Sequence, residues 1–294
     1  MKIATIARKP ATLIIGAVLV VLWPAILFSV PDTLALITDY WHFFFLGIGG
    51  AIAANSTGAG GGIVFIPAFT SLGIDEQNAL GTSIAIQCFG MTAGSISWLG
   101  SIHRREHGGR QVIALTQKLL LISGSSAVAG MLCGQYLLPA PAFPITTIFR
   151  YFSILFGCVL LFVTLRKDQH RHTRYYIRSM DMPLIVASSL AGGMITSWIS
   201  IGAGEWIALL LFFLGFPTMV SVCIAVCISS LTVLSGLPYH LFVTDSVSWE
   251  ILLFAAPAAI VGGTIARLLA ERLGPTRLKI FFATWILATG LAMD

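Results

Sequence analysis

The 294-residue sequence is 57% hydrophobic and only 10% charged, and its mean hydropathy is +0.91. Soluble globular chains carry about 25% charged residues, so this composition excludes a soluble protein and predicts an integral membrane protein. The net charge is +5, and the basic residues fall in short loops between apolar runs. Their positions indicate the orientation of the chain in the membrane and not a nucleic-acid partner. We therefore predict the lipid bilayer as a partner, and no nucleic acid, cofactor or metal.

Apolar runs recur along the whole chain without the alternation of a transmembrane β-strand. Runs of about 18 residues or more are long enough to cross a hydrocarbon core of about 30 Å as a helix. In chain order, the predicted spans are residues 11–30, 79–100, 113–137, 146–165, 219–243, 249–270 and 278–293. The first run begins like a signal peptide, but it lacks an obvious cleavage site and we interpret it as a retained span. The predicted fold class is an all-α polytopic membrane protein.

Two further runs, residues 41–74 and 183–216, are too long for one crossing and are interrupted halfway by Gly, Ser and Thr. The segments on either side of each interruption have about 13 to 17 residues, which is short for a full crossing. We predict that each run is a broken-helix hairpin of half depth. Two full crossings are the alternative for each run.

The basic residues predict the orientation, because cytoplasmic loops retain Lys and Arg. They place the N-terminus and the loops after residues 100 and 165 in the cytoplasm, and the C-terminus outside. This parity requires the first hairpin to begin and end outside and the second to begin and end inside.

The two broken runs also match each other. At one constant spacing, Gly49, Gly58, Ala59 and Gly60 correspond to Gly193, Gly202, Ala203 and Gly204. We predict an inverted repeat of a hairpin plus three transmembrane helices, with one extra N-terminal helix. The predicted boundaries are 1–40 for the extra helix, 41–166 for the first repeat, 167–182 for a basic cytoplasmic loop and 183–294 for the second repeat.

The second arm of each hairpin begins at the break, so its free N–H groups and the positive end of its dipole point into the membrane. Two such ends predict an anion site between the hairpins. The alternative is that the small residues only let helices pack, and that the polar ones bond to their own helices. The predicted substrate-binding residues are Asn55, Ser56, Thr57, Gly58, Gly60, Gly61, Gly62, Thr82, Ser83, Gln87, Ser197, Ser200, Gly202, Gly204 and Trp206.

Glu205 is the only acid that the predicted spans and hairpins place deep in an apolar run. Ionisable residues within membrane segments are functional candidates, so we predict that Glu205 couples anion movement to protons. The alternative is that its carboxylate simply caps the N-terminus of its own helix.

Residues 58–67, "GAGGGIVFIP", are followed by "ALGTSIA" and by a second glycine-bearing half that contains "GAGEW". These motifs resemble the TauE/SafE family of sulfite and organosulfonate exporters, also called the toluenesulfonate uptake permease group, over residues 41–294. The resemblance implies secondary transport of small sulfur-containing oxyanions across the bacterial inner membrane. Glu205 and Trp206 stand where the first half has Gly61 and Gly62, so the resemblance does not imply a symmetric site.

The function predicted from these features is an alternating-access transporter of a small anion, with proton or sodium coupling. If no oxyanion binds, the alternative is a cation site, in which the backbone carbonyls at the ends of the first arms, near Ser56 and Ser200, bind sodium. One alternative is an anion channel on the same scaffold. The other is a membrane enzyme or assembly factor, which is disfavoured because the sequence offers no nucleophile–base pair or metal cluster.

Overall fold

The computed structural model describes residues 23–103, 109–139, 141–165 and 173–292, and the regular structure within these ranges is helical. Residues 23–29 are helical and precede eleven helices with defined bounds. These are α1 (Thr33–Tyr40), α2 (His42–Thr57), α3 (Gly62–Ser71), α4 (Glu76–His103), α5 (Arg110–Tyr136), α6 (Ile145–Leu165), α7 (Asp181–Ile199), α8 (Ala203–Phe213), α9 (Thr218–Phe242), α10 (Trp249–Leu273) and α11 (Pro275–Ala292). The predicted all-α class is confirmed.

Six of the described helices are long and apolar enough to cross a membrane, namely α4, α5, α6, α7, α9 and α10. Five of them confirm the spans predicted between residues 79 and 270. The predicted span 278–293 corresponds to α11, which is helical. Judged on its described residues, α11 is not one of the six candidate spans. The predicted span 11–30 lies mostly outside the described residues. The protein is a multi-pass membrane protein.

Helix α1 lies between the predicted span 11–30 and the first broken run, where no helix was predicted and where Asp32 and Asp39 occur. Leu36 and Ile37 are partly buried against the core, and this packing stabilises a helix that the two acids obscure in the sequence. Helices α1 and α2 are bent by 48° at Trp41, and together they form a seventh possible span.

Both broken runs fold back on themselves as hairpins. In the first, Phe43 near the start of α2 lies beside Phe69 near the end of α3, with ring centroids 6.0 Å apart. In the second, the backbone N–H of Arg174, ahead of α7, donates to the carbonyl of Gly215, just after α8, at 2.9 Å. Contact between the outer ends of both arms excludes a single broken span in each run.

The arms of the hairpins differ in length. Helices α3 and α8 have 10 and 11 residues, so each rises about 15 to 17 Å, roughly half of the hydrocarbon core. Both are shorter than the predicted arms of 13 to 17 residues. Helix α7 has 19 residues, about 28 Å, so it is longer than predicted and long enough to cross. The extra length arises because α7 begins at Asp181, before the apolar run.

The first helix of each hairpin packs on a helix of the other half of the chain. Helix α2 of the first half packs on α10 of the second, and α7 of the second packs on α5 of the first. In the same way, α4 contacts α10 while α9 contacts α5. Glycines allow the close approach: Gly90 of α4 faces Ala259 of α10, and Gly130 of α5 faces the backbone of Leu190 in α7. The inversion of the halves stays a prediction.

Candidate functional site

The first break separates α2 from α3 over residues 58–61. Gly58 ends α2 in the left-handed region, with φ 87°, and its N–H donates to the carbonyl of Ala54 at 3.0 Å. Glycine adopts this conformation without strain, so the chain can leave the helix and turn back.

The second break separates α7 from α8 over residues 200–202. Ser200 has φ 62° and Gly202 has φ 140°, so two of its three residues have positive φ. The N–H of Ala203, the first residue of α8, donates to Oγ1 of Thr196 at 2.9 Å. The last turn of α7 therefore caps the first turn of α8.

The two breaks meet backbone to backbone. A Cβ atom added to Gly62 would lie 2.8 Å from the carbonyl carbon of Ser200, and one added to Gly204 would contact the carbonyl oxygen of Gly58. Ordinary contacts between carbon atoms lie near 3.5 to 4.0 Å. The absence of side chains at Gly62 and Gly204 is what allows the hairpin tips to approach this closely.

Glu205 joins the two breaks through its carboxylate. Its Oε1 accepts the N–H of Gly60 in the first break at 2.7 Å, and its Oε2 accepts the N–H of Gly202 in the second at 2.8 Å. The residue is fully buried. The bond to Gly202 is the helix cap that we predicted as the alternative role of Glu205. The bond to Gly60 was not part of that alternative, and it links the two hairpins.

Gln87 of α4 makes a second bridge between the breaks. Its Oε1 accepts the N–H of Gly61 at 2.7 Å, while its Nε2 donates to Oγ of Ser200 at 2.7 Å. The hydroxyl of Ser83, one turn earlier on α4, lies 2.9 Å from that of Ser200. Gln87 and Ser83 therefore lie at the breaks, as predicted.

Several other predicted residues bond to their own helices instead. The side chains of Ser56 and Thr57 donate to the carbonyl of Ala53, and Ser197 donates to Met194. Asn55 donates from Nδ2 to Ala51, but its buried Oδ1 has no hydrogen-bond partner. These residues lie at the end of a first arm, close to a break, and in this conformation they do not bridge the hairpins.

The side chains of Thr82 and Trp206 point away from the breaks, although the backbone N–H of Trp206 donates to the carbonyl of Gly202 at 2.9 Å. Oγ1 of Thr82 accepts the N–H of Ser248, which precedes α10, at 2.9 Å. The ring of Trp206 packs against two aromatic rings of α6, with centroids 6.2 Å from Phe152 and 6.4 Å from Phe156. The structure therefore directs these two side chains away from the other side chains of the predicted set.

Two residues near the breaks were missed. Thr196 caps α8, and a hydroxyl residue in the last turn before a break is a signal that sequence reasoning can use. Ser229 of α9 is buried, its Oγ has no hydrogen-bond partner, and a Cβ atom added to Gly204 would contact that oxygen. A serine within an apolar run usually bonds to its own helix, so the sequence gives no signal for Ser229.

A cavity of about 640 Å³ lies at the open end of the second hairpin and not at the breaks. Arg174 on its wall forms an ion pair with Asp181 at 3.0 Å. Arg178 bonds to the hydroxyl of Tyr176, and this bond together with the nearby positive charge lowers the pKa of Tyr176. Within the described ranges, no group of three His, Cys, Asp or Glu side chains is placed to hold a metal ion.

The fold and the site define a polytopic membrane protein in which two helix hairpins meet at a buried polar centre made of backbone N–H groups, one carboxylate, one amide and hydroxyls. Residues 43–293 match the family described as sulfite exporter TauE/SafE. The chain belongs to this family, and the protein is therefore a membrane transporter and not an enzyme. Searches of curated proteins and of solved structures found no match.

Proposed function

We propose that the protein is a secondary transporter that moves a small sulfur oxyanion, such as sulfite or an organosulfonate, across the bacterial inner membrane by alternating access. Family membership supports the transporter class and the sulfur chemistry. The distribution of basic residues supports a cytoplasmic N-terminus and an external C-terminus.

One observation carries the choice of an anion. The N–H groups of Gly60 and Gly202, one from each hairpin, converge on a single carboxylate. Sulfite and sulfonates resemble a carboxylate in presenting several acceptor oxygens on a compact negative group, so they suit the same donors. The bare glycine backbone leaves these N–H groups open to a ligand once the carboxylate has moved.

The packing supports alternating access. Each hairpin packs on helices of the other half, α2 on α10 and α7 on α5, while the tips touch through a small set of hydrogen bonds and backbone contacts. A movement of one half against the other would open this central contact to one side of the membrane at a time.

We propose Glu205 as the coupling residue. An anion that takes its two N–H donors leaves a buried carboxylate without donors, and a proton would neutralise it. The neighbours that bond to it are neutral backbone amides, and Gln87 and Ser200 beside them are also neutral. Sodium is the second candidate, and the carbonyl of Ser200 would be one of its ligands.

The test is transport of sulfite into proteoliposomes with and without an imposed proton gradient. We expect saturable transport that the gradient drives uphill, and loss of transport in Gly60→Leu and Gly204→Leu because both side chains would fill the meeting point of the breaks. The matched control is Gly49→Leu, since a Cβ atom at Gly49 meets nothing within 4 Å. Unchanged transport in both break variants would refute the site, and flux that no gradient drives uphill would indicate a channel.

A further inference from the structure

The backbone donors of the two breaks are already occupied by a side chain of the protein itself. Both oxygens of Glu205 accept a backbone N–H, at 2.7 and 2.8 Å. In its charged form this side chain offers only acceptors, and each of its two oxygens is matched to a backbone donor. The side chain thus fills the place in which the proposed function puts the transported anion.

This arrangement exists in one hairpin only. At the constant spacing of the repeat, Glu205 corresponds to Gly61, which has no side chain. The N–H of Gly61 is instead bound by the neutral Gln87. The charge that holds the tips together therefore comes from the second hairpin and reaches across to Gly60 in the first.

One buried polar group beside Glu205 has no hydrogen-bond partner. Ser229 is 3% exposed, its Oγ has no hydrogen-bond partner, and this oxygen adjoins Gly204, the residue before Glu205. A carboxylate offers two oxygens, whereas sulfite and sulfonates offer three. An oxyanion that took the two N–H groups from Glu205 would have a third oxygen without a backbone donor, and the Ser229 hydroxyl beside Gly204 is a donor without an acceptor.

We propose that Glu205 is a tethered competitor of the substrate: its carboxylate occupies the N–H groups of Gly60 and Gly202 when the site is empty, and the substrate anion binds by displacing it. This proposal rests on the proposed function, because the displacing anion is the transported one. Two negative groups cannot share these donors in a buried site, since like charges repel strongly where water is excluded.

Two consequences follow. The empty transporter is held with its hairpin tips fastened, and substrate binding removes the bond that crosses between the hairpins. In addition, the protein binds its substrate less tightly than the same site would without the carboxylate, because each binding event must first release Glu205 from both N–H groups.

The test is calorimetric titration of the full-length, detergent-solubilised protein with sodium sulfite and with methanesulfonate. We expect Glu205→Gln to bind at least one of these anions ten times more tightly than the native protein. Glu205→Ala is the second variant, for use if Glu205→Gln does not fold. It removes the carboxylate altogether and frees both N–H groups, so its affinity should also rise.

The matched control is Glu76→Gln. Glu76 accepts the N–H groups of Ile145 at 3.1 Å and Thr146 at 3.4 Å at the start of α6, so its loss removes a similar bond elsewhere. We expect its anion affinity to equal that of the native protein. If an anion binds to the native protein and both Glu205 variants bind it equally or more weakly, the tethered-competitor proposal is wrong. The transport proposal would not be affected by that result. No binding of either anion to any of these proteins overturns both proposals.

Discussion

Replacement of Gly62 by alanine tests whether the two hairpin tips touch as the structure shows. The added Cβ would lie 2.8 Å from the carbonyl carbon of Ser200 and 2.7 Å from Cγ2 of Ile201. Ordinary contacts are near 3.5 to 4.0 Å, so the tips would have to separate by about 1 Å. Overpacking of this kind costs about 1 to 3 kcal/mol, and backbone on one side of the contact makes the upper half of the range the expectation.

The measurement is the thermal unfolding midpoint of the purified protein. A loss of 2 to 3 kcal/mol corresponds to a decrease of about 4 to 12 °C for a chain of this size class. The control is Gly49→Ala, where the added Cβ meets open space and alanine favours the helix by about 0.5 to 1 kcal/mol, so its midpoint should stay or rise. Equal midpoints for Gly62→Ala and the control would show that the tips do not meet, and the candidate site would lose its geometric basis.

Two further predictions concern the bridges around the hairpins. Gln87→Leu leaves a break N–H without its acceptor and should lower the stability by about 1 to 3 kcal/mol, whereas Gln77→Leu at an exposed position should change it by less than about 0.5 kcal/mol in chemical or thermal unfolding. Arg174→Gln removes the ionic partner of the buried carboxylate of Asp181, which keeps a hydrogen bond from the backbone N–H of Arg178. The change should cost about 3 kcal/mol, part of which Asp181→Asn should restore in the double variant. If the double variant is no more stable than Arg174→Gln alone, the ion pair does not hold the base of the second hairpin.

The helices and the breaks were predictable because each depends on a local property of the chain. A run of about 20 apolar residues is long enough to span the bilayer, whatever surrounds it. The breaks at Gly58 and Gly202 were predictable because positive φ favours glycine and because the same pattern occurs twice. Helix α1 was missed because it depends on burial against other helices, and Asp32 and Asp39 gave the opposite local signal.

The membership of the site was only partly predictable. Ser83 and Gln87 are four residues apart, so they share one face of α4, and both lie at the breaks. Thr82 is adjacent to Ser83 and faces another direction, toward the residue before α10. The spacing could have separated Thr82 from the pair, but only the packing of α4 identifies the face that meets the breaks.

The sequence by itself determined that this protein is a polytopic helical membrane protein with two matching breaks and a single acid beside one of them, since composition, helix length and glycine conformation are properties of short segments. Only the tertiary structure decided that the breaks touch and that Glu205 binds the N–H groups of both. Gly60 and Glu205 are 145 residues apart, and the bond between them exists because the packing of the two halves brings two glycine backbones into contact.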